Sequence, residues 1–376
     1  ASRVHPTFGI IFTTIIYLAI GPLFGIPRTA TVTYEVGILP FISEAAGQSF
    51  LSLFILSVIF FSLSVWLSLN PSKLVHRIGT IITPVLLLVL SLLAIKSIIT
   101  PIGTISNPSE SYVNNSFFNG FIEGYLTMDT IGGLVFGIVI ISTLKSLGIT
   151  NQTAITKTVG KAGTIAAIGL VLVYLALTYI GASSVHEIGM LDNGAAVITA
   201  STKVLFGSMG SVILAIAITL ACLTTSVGLI TSCANYFSMQ IPALSYKKIV
   251  YILAIFSTII ANFGLSKLIS ISLPILSFIY PLAIMLILLS FLHTYFRGYS
   301  TVYVGGMVAT GIFSLFDALL SSGFNLGAIG NFVSSLPLSA QGIGWLLPGI
   351  IGCLIGYGIA VAIGHEHKLE TKTKTE

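Results

Sequence analysis

Runs of about twenty apolar residues, parted by short polar or charged turns, recur ten times along the chain. They cover 8–38, 49–69, 78–100, 122–145, 163–182, 204–238, 247–263, 267–292, 301–321 and 343–363. Stretches such as Pro84-Val85-Leu86-Leu87-Leu88-Val89-Leu90 show no alternation, so the elements predicted are helices and not the short alternating strands of a barrel. The first and sixth runs exceed a straight crossing, which predicts strong tilt or extension beyond the lipid. The fold class expected is therefore all-α integral membrane, with ten transmembrane helices.

Composition agrees. Of the 376 residues, 55% are hydrophobic and 7% charged, and the mean hydropathy is +1.05, too few charges to cover the surface of a soluble globule. No stretch outside the apolar runs is long enough for a second core. One transmembrane domain is expected over 1–364, followed by a disordered cytoplasmic tail, 365–376, that mixes both charge signs. With the N-terminus placed in the cytoplasm, twelve of the 16 lysines and arginines fall on the cytoplasmic side, and an even number of crossings returns the C-terminus there. The net charge of +5 thus reports topology. It forms no continuous basic stripe, so nucleic acid is not an expected partner; membrane lipid is. Cys222, Cys233 and Cys353 lie inside apolar runs, which indicates neither a disulfide frame nor a zinc site. His365 and His367 stand at i, i+2 without further ligands, a poor metal site. Asn114-Asn115-Ser116 in the polar loop 101–121 formally matches a glycosylation acceptor. The chain opens on Ala1-Ser2-Arg3 with no charged-then-apolar leader and reads as a piece of a longer polypeptide.

Candidate chemistry lies where polar or helix-breaking residues fall at membrane depth. The fourth run contains Gly124-Tyr125-Leu126-Thr127-Met128-Asp129-Thr130-Ile131-Gly132-Gly133-Leu134-Val135-Phe136-Gly137. A carboxylate at mid-bilayer costs about 2.5 to 3.5 kcal/mol, and each glycine weakens a helix by about 1 kcal/mol. Together they predict a helix interrupted over Thr127 to Gly133, whose freed backbone groups suit a small zwitterion or an alkali ion. The competing reading is a kinked packing helix, with Gly133 and Gly137 in a close contact and Asp129 as a cap. In the sixth run, Ala221, Thr224 and Thr225 offer a carbonyl and two hydroxyls; the alternative is that the hydroxyls only bond back along the helix. The first run holds Pro22 and Pro27, which predict a kink, and Arg28 and Glu35, which share a helix face as a gate or a structural ion pair, with each other or with Asp129. Asp317 near the end of the ninth run reads as interfacial or functional, and Gly352-Cys353-Leu354-Ile355-Gly356 as close helix packing within one chain or across a dimer. No nucleophile elbow, phosphate loop or zinc-protease signature occurs, so an enzyme is not expected. Uphill movement of a solute would then run on an ion gradient.

Gly21-Pro22-Leu23-Phe24-Gly25-Ile26-Pro27-Arg28-Thr29-Ala30-Thr31-Val32-Thr33-Tyr34-Glu35-Val36-Gly37, together with Gly124-Tyr125-Leu126-Thr127-Met128-Asp129, resembles the bacterial branched-chain amino acid cation symporter family. The resemblance implies symport of leucine, isoleucine and valine with Na⁺ or H⁺ across the plasma membrane, by alternating access on a LeuT-like fold of two inverted repeats. It implies no cofactor beyond the coupling ion. It also implies twelve crossings, so the ten here correspond to the third through twelfth. Under that correspondence the substrate pocket falls on Tyr125, Thr127, Met128, Asp129, Thr130, Gly132, Gly133 and Phe136, with Met128 and Phe136 on the apolar side and Asp129 toward the ammonium, the coupling ion or Arg28. Ala221, Thr224 and Thr225 match half of a sodium site. The alternatives are a proton-coupled carrier of other small neutral solutes and a non-functional truncated product. The oligomeric state is left open.

Overall fold

A computed structural model describes residues 3–69 and 73–363, and among these every regular element is helical. In chain order the α-helices are α1 (Pro6–Leu18), α2 (Gly25–Gly37), α3 (Glu44–Gly47), α4 (Phe50–Leu69), α5 (Lys73–Ile99), α6 (Glu110–Glu123), α7 (Asp129–Ser146), α8 (Gln152–Ile188), α9 (Gly194–Gln240), α10 (Tyr246–Ala261), α11 (Leu265–Phe291), α12 (Ser300–Ser321), α13 (Gly327–Ser335) and α14 (Leu346–Ala362).

Seven helical stretches among the described residues are long and apolar enough to cross a bilayer: Pro6–Phe41, Phe50–Leu69, Ile81–Ile99, Gln152–Ile188, Gly194–Gln240, Leu265–Phe291 and Ser300–Ser321; Leu346–Ala362 is a shorter apolar helix. The fourth and seventh apolar runs become α7 and α10, of 18 and 16 residues. At 1.5 Å per residue these reach only about 27 and 24 Å, against a hydrocarbon core of about 30 Å. The first and sixth runs are long, as expected, at 36 and 47 residues. In the sixth the length is not one straight rod, because Gly207 turns to φ 64°, ψ −158° inside α9. Helix also extends where loop was expected. α8 begins at an Asn151 cap, whose side chain accepts from Thr153 N and Ala154 N, and runs 37 residues through Lys157 and Lys161. The polar segment 101–121 supplies most of α6, and the turn before the last run supplies α13.

The expected transmembrane domain comprises two compact units: residues 1–16, 108–133 and 269–376 in unit 1, and 17–107 and 134–268 in unit 2. The tail 365–376 lies outside the described residues.

Unit 2 is built on α2 against α9. α2 presents Thr29, Thr31 and Thr33 as buried residues, and their hydroxyls donate to the carbonyls of Ile26, Arg28 and Thr29 at 2.6, 3.0 and 2.8 Å. Hydroxyls satisfied within their own helix let a threonine-rich face pack in an apolar setting without orphaned donors. On α4 and α10, Asn262 Nδ2 donates to Ser57 Oγ at 3.1 Å and the Tyr246 hydroxyl to the Ser68 carbonyl at 3.0 Å.

Unit 1 is dominated by α12 against α14. A Cβ on Gly352 would collide with the Gly305 carbonyl and one on Gly305 with the Gly352 carbonyl, so the two backbones touch where neither residue has a side chain. The Gly352–Gly356 pattern is therefore used within one chain, in the close packing expected of small residues spaced by four. At one end of this pair the wholly buried Tyr303 gathers a network. Its hydroxyl donates to the Leu289 carbonyl at 3.1 Å and accepts from Arg3 Nη1 at 3.3 Å, with His293 Nδ1 at 3.0 Å.

Candidate functional site

The fourth run is interrupted, and the interruption is short. After α6 the chain makes a 3-10 turn over Gly124–Thr127, Met128 adopts φ 63°, ψ 12°, and α7 starts at Asp129. A methionine in the left-handed region costs about 1 to 3 kcal/mol and persists only where the surroundings over-determine it. Here Met128 is buried, its N–H donates to the Tyr125 carbonyl at 3.2 Å, and its carbonyl accepts from Gly132 N at 2.8 Å. The expected break over Thr127 to Gly133 is thus corrected to Gly124–Met128. Gly132 and Gly133 lie inside α7, since two weak helix formers do not outweigh a full set of helical bonds.

Side chains at the break divide by exposure. Tyr125 and Met128 are buried; Thr127 and Asp129 are exposed; Thr130 lies between. The Thr127 hydroxyl donates to the Gly124 carbonyl at 2.7 Å. Asp129 stands in the first turn of α7, where a carboxylate meets the positive end of the helix dipole. Among the described residues, Gly133 and Gly137 have no atom within 4 Å of where a Cβ would stand, which does not match the close-contact reading of that pair. The Tyr125 ring stacks on Tyr280 of α11 with centroids 4.5 Å apart and meets Phe121 edge-on at 5.5 Å. Its hydroxyl and the Trp345 indole nitrogen are both buried without a hydrogen bond of good geometry. Tyr280 and Trp345 escaped the sequence reading, because each sits in an otherwise apolar stretch far along the chain; the Tyr280-Pro281 pair was the one available signal.

A second interruption, in the first run, has another character. Between α1 and α2 the chain makes a π-turn over Ala19–Leu23 with Gly21 at φ −86°, ψ −117°, closed by Phe24 N donating to the Ala19 carbonyl at 3.2 Å. Pro22 lies in this turn, as expected. Pro27 does not contribute a kink, because it occupies the first turn of α2, where its missing N–H would have had no helical partner. The break is packed shut: a Cβ on Gly21 would stand 2.6 Å from Cys233 Sγ, and Tyr17 stacks on Tyr236 at 4.1 Å. Beside it an apolar groove of about 300 Å³, lined by Leu18, Pro22, Leu23, Phe237 and Phe256 among others, offers no polar side chain that would hold a zwitterion. Arg28 and Glu35 both lie on α2. Glu35 engages the Asn193 side chain, with Asp192 nearby, at the start of α9.

In unit 2 the three residues of the candidate ion site make the helix-internal bonds of the alternative reading. The Thr224 and Thr225 hydroxyls each donate to the Ala221 carbonyl at 2.9 Å. Thr225 is exposed, so its oxygen keeps lone pairs open to a cation, while the carbonyl is already shared by both hydroxyls. One turn on, Gly228 lies close to Phe136 of α7. Tyr125, Thr127, Met128, Asp129, Thr130, Gly132 and Gly133 thus belong to unit 1, and Arg28, Glu35, Phe136, Ala221, Thr224 and Thr225 to unit 2. Among the described residues no group of three His, Cys, Asp or Glu side chains is placed to hold a metal ion.

Comparison with known proteins adds the family. A family model described as branched-chain amino acid transport protein matches residues 1–363. The chain is 48% identical over 370 residues to the branched-chain amino acid permease BraB of Bacillus subtilis, covering 98% of this chain and 83% of that protein. It is 45% identical to the branched-chain amino acid transport system 2 carrier protein of Pseudomonas aeruginosa (90% and 76% covered) and 42% identical to the branched-chain amino acid permease BrnQ of Escherichia coli (91% and 77%). With its apolar helices and these relatives, the chain is a multi-pass membrane protein and belongs to the branched-chain amino acid transport protein family, whose members are carriers and not enzymes.

Proposed function

We propose that this protein carries leucine, isoleucine and valine across the plasma membrane by alternating access, coupled to Na⁺ or H⁺, with the interruption at Met128 as the place where the amino acid binds. The reading is supported by membership of the family and by permease relatives at 48% and 42% identity. The single observation behind the site is a non-glycine residue held at φ 63° between two helical segments, beside an exposed carboxylate. In this reading the first N–H groups of α7 face the substrate carboxylate, Asp129 faces its ammonium, and Met128 meets the aliphatic side chain. Ala221, Thr224 and Thr225 supply part of the coupling-ion shell. Ten crossings with both termini cytoplasmic, arranged as in LeuT-like inverted repeats, are part of the same proposal; in that arrangement interrupted helices hold the solute near the midplane.

The test is sodium-dependent leucine uptake in proteoliposomes. Thr225→Ala is expected to lower uptake severalfold at limiting sodium while leaving the amount of protein in the membrane unchanged; equal uptake across a sodium range removes the ion assignment. A second reading is a proton-coupled carrier of other small neutral solutes. It is favoured by the Ala221 carbonyl, which already accepts from both threonines and would have to be released before it could ligate sodium well. Uptake that follows pH and ignores sodium would select it.

A further inference from the structure

In unit 1, α12 carries a polar seam. Thr310, Ser314, Asp317 and Ser321 recur at helical spacing, and Thr310 and Ser314 are wholly buried. The Ser314 and Ser321 hydroxyls donate to the carbonyls of Gly311 and Ala318 at 3.3 and 2.9 Å. Two atoms on the seam have no hydrogen-bond partner. Thr310 Oγ1 is pressed against Gly349 of α14, where a Cβ would stand 2.5 Å from it. Asp317, half-buried as a residue, has its Oδ2 atom buried one turn from the end of α12.

Three influences oppose a negative charge on Asp317. The buried oxygen has lost its hydration without gaining a donor. The last turn of a helix is the negative end of its dipole. Among the described residues, the helices that pack on α12 bring no cation to it. α13 has no titratable residue, and α14 has only Cys353 and Tyr357, which lie toward Gly306 and Tyr299 near the other end of α12. The connection 322–326 is uncharged, and residues 269–291 of α11 contribute only Tyr280, which stacks on Tyr125. Arg3, His293 and Tyr303 form their own network at the far end. A metal ion does not suit the position either. It would need several oxygens, whereas the Ser314 hydroxyl is turned back to Gly311 and α14 has no carboxylate, amide, serine or threonine.

We propose that Asp317 is an intramembrane proton-binding site, in which the neutral carboxyl lets the buried stretch of the seam at Thr310 and Ser314 stay dry and the loss of the proton to a water entering from the exposed end at Ser321 admits hydration along Ser314 and Thr310. The exchange balances as carboxyl plus water giving carboxylate plus hydronium. It is separate from the interruption at Met128 and does not depend on the identity of the transported solute.

Infrared difference spectroscopy of the full chain in liposomes, titrated with pH in H₂O and D₂O, tests this directly. A carbonyl stretch of a protonated carboxylic acid is expected near neutral pH, shifted in D₂O, lost at high pH, and missing in Asp317→Asn. Asn mimics the neutral carboxyl, so Asp317→Asn should also reach the membrane at wild-type abundance. If the band persists in Asp317→Asn, or wild type shows none, the proposal is overturned. It is equally overturned if Asp317→Asn fails to fold while Asp317→Glu folds and shows no protonated band, because the position would then require a charge.

Discussion

Two helix breaks in one chain, one between α1 and α2 and the other between α6 and α7, differ in what fills them. The first is closed by the protein itself: Gly21 sits under Cys233, and Gly25 comes so close to the Ile20 carbonyl that any Cβ would collide with it. The second leaves Thr127 and Asp129 exposed around a buried Met128 held in a conformation that methionine rarely adopts. A proline and glycines at membrane depth therefore do not by themselves indicate a binding site. The distinguishing marks are a left-handed non-glycine residue at the break and polar side chains that the protein leaves exposed beside it.

The contrast can be broken in three ways. Gly25→Ala should be the most damaging, because backbone rather than a flexible side chain opposes the new methyl. A loss of about 3 kcal/mol or more, read as a lower midpoint of thermal unfolding in detergent and less protein in the membrane, is expected; an unchanged midpoint would mean that the π-turn is loose. Asp129→Asn should leave that midpoint within about 0.5 kcal/mol, as for an exposed site, yet lower leucine uptake at least tenfold, a loss of about 1.4 kcal/mol in transition-state stabilisation. Wild-type uptake would make Asp129 a helix cap and nothing more. Gly133→Ala has the smallest effect and the opposite sign. With open space at the Cβ position it should stabilise α7 by up to about 1 kcal/mol, and a fall in the unfolding midpoint would place an unseen neighbour there.

The sequence made the bilayer-crossing character legible, because apolar runs of this length have one stable solvent. The two breaks were legible too, although their limits were not. Pro27 carries the same weight as Pro22 in a residue count, yet its position in the first turn of α2 makes its missing donor harmless. Gly132 and Gly133 look like breakers until the helix that absorbs them is seen, and nothing about Met128 announces a left-handed residue. α6 and the added turns of α8 were hidden for a related reason: Asn, Ser and Lys are compatible with helix, and their polarity reports exposure rather than backbone state. The spacing of Ala221, Thr224 and Thr225 left two readings, and the bonds seen are those of the helix-internal one, both hydroxyls donating back to the Ala221 carbonyl, since i, i+3 and i+4 share a helix face whatever surrounds them. The stack of Tyr125 on Tyr280 could not be read this way, because it joins residues remote in sequence.

The central claim, that a branched-chain amino acid occupies the interruption at Met128, is tested most directly at Thr127, which is exposed beside it. With Thr127→Cys in liposomes and the unsubstituted chain as the control for Cys222, Cys233 and Cys353, the rate of labelling by a polar thiol reagent is measured with and without substrate. Leucine, isoleucine and valine are expected to slow labelling of Thr127→Cys severalfold and in a saturable way, while lysine has no effect. Labelling at the same rate in saturating leucine, by a variant that still transports it, would contradict the account.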